Sequence, residues 1–132
     1  MSLINVLQEI NRDIGNCYFV SCFDLETGLP IGNVSDQHHI DGESIGIAFG
    51  NMLDLIVHAQ KHARNDTVRT LVGGFKEFIL ETTKSAFFVI SPNRETNMAI
   101  AIGVPKQVKL GMVRMCVKKH FQSLLGSLKE IS

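Results

Sequence analysis

The sequence predicts an α/β protein of the α+β type, in which helices flank a five-stranded antiparallel sheet. Three observations predict this class. The 132 residues, 45% of them hydrophobic and 20% charged, are enough for one packed core. Five short β-prone runs are separated by turn residues, and amphipathic helical segments lie at both ends. The predicted order is α-β-β-α-β-β-β-α, within a single domain spanning residues 1–132.

The first part of the chain is typical of a helix followed by a β-hairpin. Ser2 can cap a helix whose apolar residues recur at helical spacing as far as Ile14. Aromatic and β-branched residues predict a first strand at Tyr18–Phe23 and a second at Leu29–Val34. Proline lacks an amide donor, so the second strand should begin, or lie exposed, at Pro30.

A long central helix is predicted from Asp41 or Ser44 to about Ala63. Its apolar residues cover more than half of its circumference, which exceeds what packing on one core requires. Gly46 and Gly50 each cost about 1 kcal/mol relative to alanine, and the close approach of another backbone is one explanation for them. The helix is therefore either buried within one monomer or shared with a second copy. For the second case the expected interface anchors are Phe49, Met52, Leu53 and Ile56.

Three more strands and one helix complete the prediction. The strand-like runs are Phe75–Glu81, Ala86–Ser91 and Met98–Val104, and the short loops between them make consecutive strands antiparallel. Pro105 ends the last strand. A single amphipathic helix is then predicted from about Val108 to Leu128.

Charge is balanced overall but unevenly distributed along the chain. Lys plus Arg and Asp plus Glu both number 13, so the basic excess that nucleic-acid binding requires is missing. Residues 1–66 are acidic and residues 106–132 are basic, which predicts complementarity within the chain or between subunits. No signal sequence or membrane-spanning apolar stretch is visible, so no membrane insertion is expected. The odd number of cysteines, 3, predicts reduced thiols and a cytoplasmic protein. Cys17 and Cys22 are five apart along one strand-like stretch, so their side chains should point to opposite faces and cannot pair locally.

Candidate catalytic and metal-binding residues are few, and each has a simpler structural explanation. His58 and His62 lie one turn apart on the predicted central helix. However, the residue after His58 is not the Glu of a metalloprotease motif, and Lys61 opposes a cation. Cys22 and Cys116 lie within apolar patterns, where thiols are usually inert packing groups. We therefore expect no enzyme activity, no cofactor and no metal.

Two motifs, together with the element order, resemble the roadblock/dynein light chain family. The first is an apolar strand, an acidic turn and a return strand, which ends in Gly28-Leu29-Pro30-Ile31. The second, Lys109-Leu110-Gly111-Met112-Val113-Arg114, is similar to the run that opens the family's last helix. The sequence departs from the family pattern at the insertion-like stretch Thr67–Gly74, and at Lys109, where bacterial members often have Asn.

The resemblance implies a roadblock-like (profilin-like) sandwich that forms a homodimer. In such a dimer the long helices meet and the third strands pair across a two-fold axis, which adds Phe78 and Leu80 to the interface. The resemblance also implies a regulator or scaffold of a Ras-like small GTPase, or a light chain of a motor-type complex. The GTPase is expected on a polar stripe of the central helix, formed by Asn51, Asp54, His58 and Lys61.

Two alternatives remain open from the sequence. The rival docking surface for the protein partner is the basic last helix, with Arg114, Lys118 and Lys119. The competing class of function is a small-molecule sensor module, because antiparallel sheets flanked by helices also hold ligands. That class predicts an internal pocket with converging polar groups.

Overall fold

In the part of the chain that the structure describes, helices and strands follow one another in the predicted order as far as the last strand. This computed structural model describes residues 2–24, 27, 29–35, 77–91 and 98–131, so the predicted central helix lies outside them. The elements are α1 (Leu3–Ile14), β1 (Phe19–Asp24), β2 (Pro30–Val34), β3 (Glu77–Glu81), β4 (Ser85–Ile90), β5 (Met98–Pro105), α2 (Leu110–Lys119) and α3 (Phe121–Ile131). None of these helices has the length and apolar character needed to cross a bilayer.

The strands form one antiparallel sheet in the order β2-β1-β5-β4-β3. Strand β5 lies at the centre, where Ile102 pairs with Val20 of β1 on one side and with Phe88 of β4 on the other. Strands β2 and β3 are the two edges. The predicted five-stranded antiparallel sheet with flanking helices is confirmed.

Side-chain alternation along β5 separates two apolar clusters on opposite faces of the sheet. One face carries branched side chains, which pack on the three helices and are fully buried: Ile100, Ile102 and Val104. The other face carries only small residues: Ala99, Ala101 and Gly103. Their size leaves room for larger side chains from the neighbouring strands, among them Phe19, Phe23 and Val89.

Helix α1 is amphipathic and covers part of the first face. Ser2 caps it, because its Oγ accepts a hydrogen bond of 3.3 Å from the backbone N–H of Asn5. Gly15 ends it with a φ of 82°, and its N–H donates to the Asn11 carbonyl at 3.1 Å. Each fully buried aliphatic side chain contributes about 1.5–3 kcal/mol to folding. The buried apolar residues of this helix are Leu3, Val6, Leu7, Ile10 and Ile14.

Gly103 makes the closest contact on the second face. It pairs in register with both Phe19 of β1 and Phe87 of β4. The rings of these two phenylalanines stack across β5, with centroids 6.4 Å apart and planes inclined by 22°. A Cβ atom at residue 103 would lie 2.5 Å from Cε1 of Phe19. The position therefore excludes any side chain unless the ring moves.

The C-terminal segment differs from the prediction, because two helices replace the single helix expected from Val108 to Leu128. Helix α2 begins at Leu110 and ends at His120, whose φ of −98° and ψ of 9° leave the helical region. The His120 ring lies against α1, with Nε2 2.5 Å from Oδ2 of Asp13 and Nδ1 3.5 Å from Oε2 of Glu9. The apolar periodicity continues through the break, so it predicted neither the break nor the contacts of His120 with α1.

The acidic N-terminal and basic C-terminal segments meet at the same junction. Nζ of Lys119 lies 3.2 Å from Oδ2 of Asp13, which also accepts a hydrogen bond from His120. These hydrogen bonds, first that from His120 and then that from Lys119, hold the pKa of Asp13 below its ordinary value. Part of the predicted charge complementarity therefore acts within one chain.

Cys17 corrects a second detail of the prediction. The sequence placed Cys17 and Cys22 on one strand with side chains on opposite faces, but Cys17 precedes β1 and packs in the same cluster as Cys22. Strand alternation does not apply before the strand begins. The Sγ of Cys17 instead donates to the carbonyl oxygens of Phe19 and Gly103, at 3.2 and 3.4 Å. Pro30 does open β2, as its missing amide donor predicted.

We expect Gly103→Ala to lower the free energy of unfolding by about 1–3 kcal/mol, because the new methyl group overpacks against Phe19. Urea denaturation measures this loss. The matched control is Gly126→Ala in α3, where a Cβ meets nothing within 4 Å and alanine favours the helix by up to about 1 kcal/mol. Equal stability of the two variants would contradict the close contact between residue 103 and the Phe19 ring.

Acid unfolding should depend on Asp13. Its folded-state pKa lies below the ordinary value of 3.8, so its stabilisation is fully present above that value and is lost as the pH falls through the folded pKa. Asp13→Asn is therefore expected to reduce stability near neutral pH and to flatten the dependence on pH at the acid end. Urea midpoints across the acid range measure both effects. An acid limb as steep as that of the wild type would contradict this assignment.

Candidate interaction site

The edge strand β3 carries apolar residues at an accessible edge of the sheet. Its inner side pairs with β4 along its whole length, including Phe78 with Val89 and Leu80 with Phe87. On its outer side no strand pairs with it within the part of the chain that the structure describes. Unpaired N–H and C=O groups on such an edge can receive a strand from another chain.

Three consecutive apolar residues occupy the middle of β3. Phe78 and Leu80 lie on the second face of the sheet, where Phe78 is half-buried against the aromatic cluster and Leu80 is 38% exposed. Ile79 lies on the helix-covered face and packs against the first cluster. Natural edge strands usually carry Lys or Pro to block pairing, but β3 carries only Glu77 and Glu81 at its ends. Its middle is therefore chemically suited to pairing.

Arg114 of α2 fixes one end of this strand. Its Nε lies 2.9 Å from Oε1 of Glu77, and its guanidinium carbon lies 5.8 Å from the ring centroid of Phe88. The ion pair is exposed and is therefore worth at most about 1 kcal/mol. It nevertheless ties β3 to the helix whose opening motif resembles the roadblock family. Sequence reasoning missed this contact, because the two residues are 37 positions apart and no local pattern links them.

The rival basic surface, predicted on a single last helix, lies on α2, and two of its three cations already form ion pairs within the chain. Arg114 pairs with Glu77, and Lys119 pairs with Asp13. Lys118 is exposed and has no ion pair with any of the described residues. Of the three cations predicted for this docking surface, Lys118 alone keeps its charge uncompensated in this part of the structure.

Eight of the predicted interface residues lie outside the described residues. The central-helix anchors Phe49, Met52, Leu53 and Ile56 are among them, as is the partner-binding stripe of Asn51, Asp54, His58 and Lys61. The candidate metal ligand His62 falls in the same part of the chain. The structure places the other two, Phe78 and Leu80, on the same face of the edge strand.

The cysteines lie in environments that disfavour the reactive thiolate. Burial, followed by the nearby charge of Asp24, raises the pKa of Cys22 to about 12. Burial, followed by the charge of Asp13, also raises the pKa of Cys116, and Lys119 opposes this shift. Cys17 is buried as well. A thiol with a raised pKa is protonated at neutral pH and is a poor nucleophile.

The two clefts described lie at opposite ends of the sheet. One of about 150 Å³ lies beneath the β3–β4 turn and includes Thr82, Lys106 and Leu110. The other, about 630 Å³, lies between α1 and β2. The larger one is a surface groove, whereas the sensor alternative predicts an internal pocket. Within the same described residues, no three His, Cys, Asp or Glu side chains converge in a way that could hold a metal ion.

Solved structures resemble this fold over nearly its whole length, although no protein-family model and no curated protein matches the chain. The chain is similar to a gliding protein, MglB, from Thermus thermophilus, with 15% identity, a TM-score of 0.74, and coverage of 96% of this chain and 88% of the other. It is similar to Myxococcus xanthus MglB, with 16% identity, a TM-score of 0.71, and 96% and 94% coverage. It is also similar to a Roadblock/LC7 domain from Streptomyces avermitilis, with 15% identity, a TM-score of 0.62, and 95% and 99% coverage.

Proposed function

Because the chain has a roadblock-type fold, we propose that it is a non-enzymatic, homodimeric regulator or scaffold that binds a Ras-like small GTPase. The same architecture would suit a light chain of a motor-type complex. The observation that supports this proposal most directly is the edge strand β3, whose three central residues are apolar and whose outer side pairs with no described strand. Fold alone does not define function, so the proposal depends on this surface.

In the proposed dimer, the β3 strands of two copies pair in antiparallel fashion across a two-fold axis. The backbone hydrogen bonds supply register, and Phe78 and Leu80 of each copy extend the apolar second face across the junction. The central-helix residues Phe49, Met52, Leu53 and Ile56 would meet their counterparts in the same interface. One of the similar solved structures is named "MglB with tetrameric arrangement", which supports assembly as a property of such folds.

The GTPase would dock on the polar stripe Asn51, Asp54, His58 and Lys61, which the dimer contacts leave unused. Regulation there requires no catalytic side chain from this chain. A partner that binds one conformation of the GTPase better than another shifts the GTPase toward that conformation. Such a shift can position the GTPase's own catalytic residues. The raised thiol pKa values agree with a role that does not involve nucleophilic chemistry.

Dimerisation should depend on Leu80. Leu80→Arg places a charge where two edge strands meet, and we expect it to weaken the dimer by at least about tenfold, which is about 1.4 kcal/mol. Sedimentation equilibrium of wild type and variant measures the dissociation constant. Leu29→Arg is the matched control, because Leu29 is exposed and lies next to the other edge strand. If the wild-type protein remains monomeric well above micromolar concentration, the proposed dimer is wrong.

GTPase binding should depend on the central stripe. Reversing the charges at Asp54 and Lys61 together is expected to abolish pull-down of a small GTPase encoded by a neighbouring gene, while sedimentation still shows a dimer. The comparison variant is Lys118→Glu, which changes the uncompensated cation of the rival surface. Binding that survives the double reversal but fails with Lys118→Glu would place the GTPase on α2.

A further inference from the structure

A groove between α1 and the edge strand β2 is the larger of the two clefts described above. Its volume of about 630 Å³ falls within the range of roughly 300–1,000 Å³ that is typical of ligand sites. Residues Ile4, Gln8 and Arg12 line one wall, and their four-residue spacing places them on one ridge of the helix. The groove therefore runs along the helix axis and beside the outermost strand.

The opposite wall of this groove consists of Asn33, Val34 and Ser35. Among its lining residues, Asn33 accepts a hydrogen bond from Oγ of Ser21 at 2.5 Å, and Ser35 Oγ donates to the Tyr18 carbonyl at 2.6 Å. Both polar side chains are thus already engaged with their own fold. The helix lies close to the strand at Gly32, where a Cβ atom would be 3.2 Å from Cδ1 of Ile4.

The second half of β2 pairs with a strand on its inner side only, among the described residues. Gly32, Asn33 and Val34 pair in regular register with β1 on the inner side. Within the described part of the chain, no strand pairs with the outer side. Pro30 and the register shift between Cys22 and Phe23 disturb only the first half of the strand. The second half keeps the backbone geometry that another strand needs for pairing.

The groove has one charged lining residue among those described, and it is Arg12. Arg12 is exposed, makes no ion pair with the described residues, and has no acidic neighbour in the lining of the groove. Gln8 adds an exposed amide that can both donate and accept. A guanidinium fork matches the carboxylate of a peptide, with which it can form two parallel hydrogen bonds.

From this juxtaposition we propose that the groove binds an extended peptide, which adds a strand to β2 and presents a carboxylate to Arg12. Strand addition takes affinity from main-chain hydrogen bonds and specificity from side chains beside the edge, and the groove supplies both. The carboxylate belongs either to an acidic side chain or to the peptide's C-terminus. This site lies at the opposite edge of the sheet from β3 and does not depend on the proposed dimer.

The test is a selection from random peptides of about seven residues, roughly 23 Å when extended. One library has free C-termini and the other has amidated C-termini. We expect the purified full chain to enrich Asp or Glu at one fixed position in both libraries, or to enrich peptides from the free-carboxylate library alone. The first result assigns the carboxylate to a side chain and the second to the terminus. Selection without any carboxylate preference overturns the proposal.

Two further measurements use the best selected peptide. Arg12→Glu should weaken its binding by at least about tenfold, whereas Lys84→Glu, in the turn at the opposite edge, should leave it unchanged. Thermal melts verify that both variants fold. Amide hydrogen exchange should show new protection, when the peptide is bound, at those amides of Gly32–Val34 that point away from β1, because alternate N–H groups of a strand face its two sides. Binding that survives Arg12→Glu, or that leaves these amides unprotected, overturns the assignment.

Discussion

The division of side chains along β5 is the constraint on which the rest of the structure depends. This strand lies at the centre of the sheet and must satisfy two different faces. Its branched residues fill the space beneath the helices, and its small residues admit aromatic rings from β1 and β4 on the other side. A shift in register by one residue would exchange these sets, which would leave cavities on one face and collisions on the other.

The same division determines where the molecule can interact. On the second face, the aromatic cluster continues from Phe19 and Phe87 at the centre to Phe78 at the β3 edge. The apolar surface extends as far as the edge strand β3, where Leu80 remains partly exposed. The polar groove beside β2 has the opposite character, since amides and Arg12 replace the aromatic rings. The two edges of one sheet therefore differ in chemistry.

Most of the described fold could be predicted from the sequence, because its elements carry strong periodic patterns. Strands β1 to β5 each lie within about a residue or two of their predicted bounds, which is the usual precision for strand ends. The patterns for α1 and for the turn before Pro30 were equally clear, since capping and proline chemistry act over a few residues. The pairs β1–β2, β3–β4 and β4–β5 followed from short loops, whereas the pairing of β1 with β5 joins strands far apart in the sequence and was not predicted.

The parts of the structure that the sequence did not predict depend on contacts between distant residues. The break at His120 is tied to carboxylates of α1 more than 100 positions earlier, and apolar periodicity does not register such a contact. The pairing of Arg114 with Glu77 and the groove beside β2 have the same origin. For the interaction site, Phe78 and Leu80 entered the prediction only through the family resemblance, because no local pattern in the sequence shows that their strand lies at the edge of the sheet.

The contrast between the two edges limits the growth of any assembly built on this sheet. In the proposed dimer, pairing through β3 would be isologous, so it would bury the apolar edge of both copies and leave β2 at each outer end. Further growth would need β2 to pair with another β2, but Pro30 and the adjacent register shift leave only the second half of this strand with a regular edge. Three residues, Gly32–Val34, can hold a short peptide strand but form a small contact between whole subunits. A long apolar edge on one side and a short regular edge on the other would therefore favour a finite particle over a fibre.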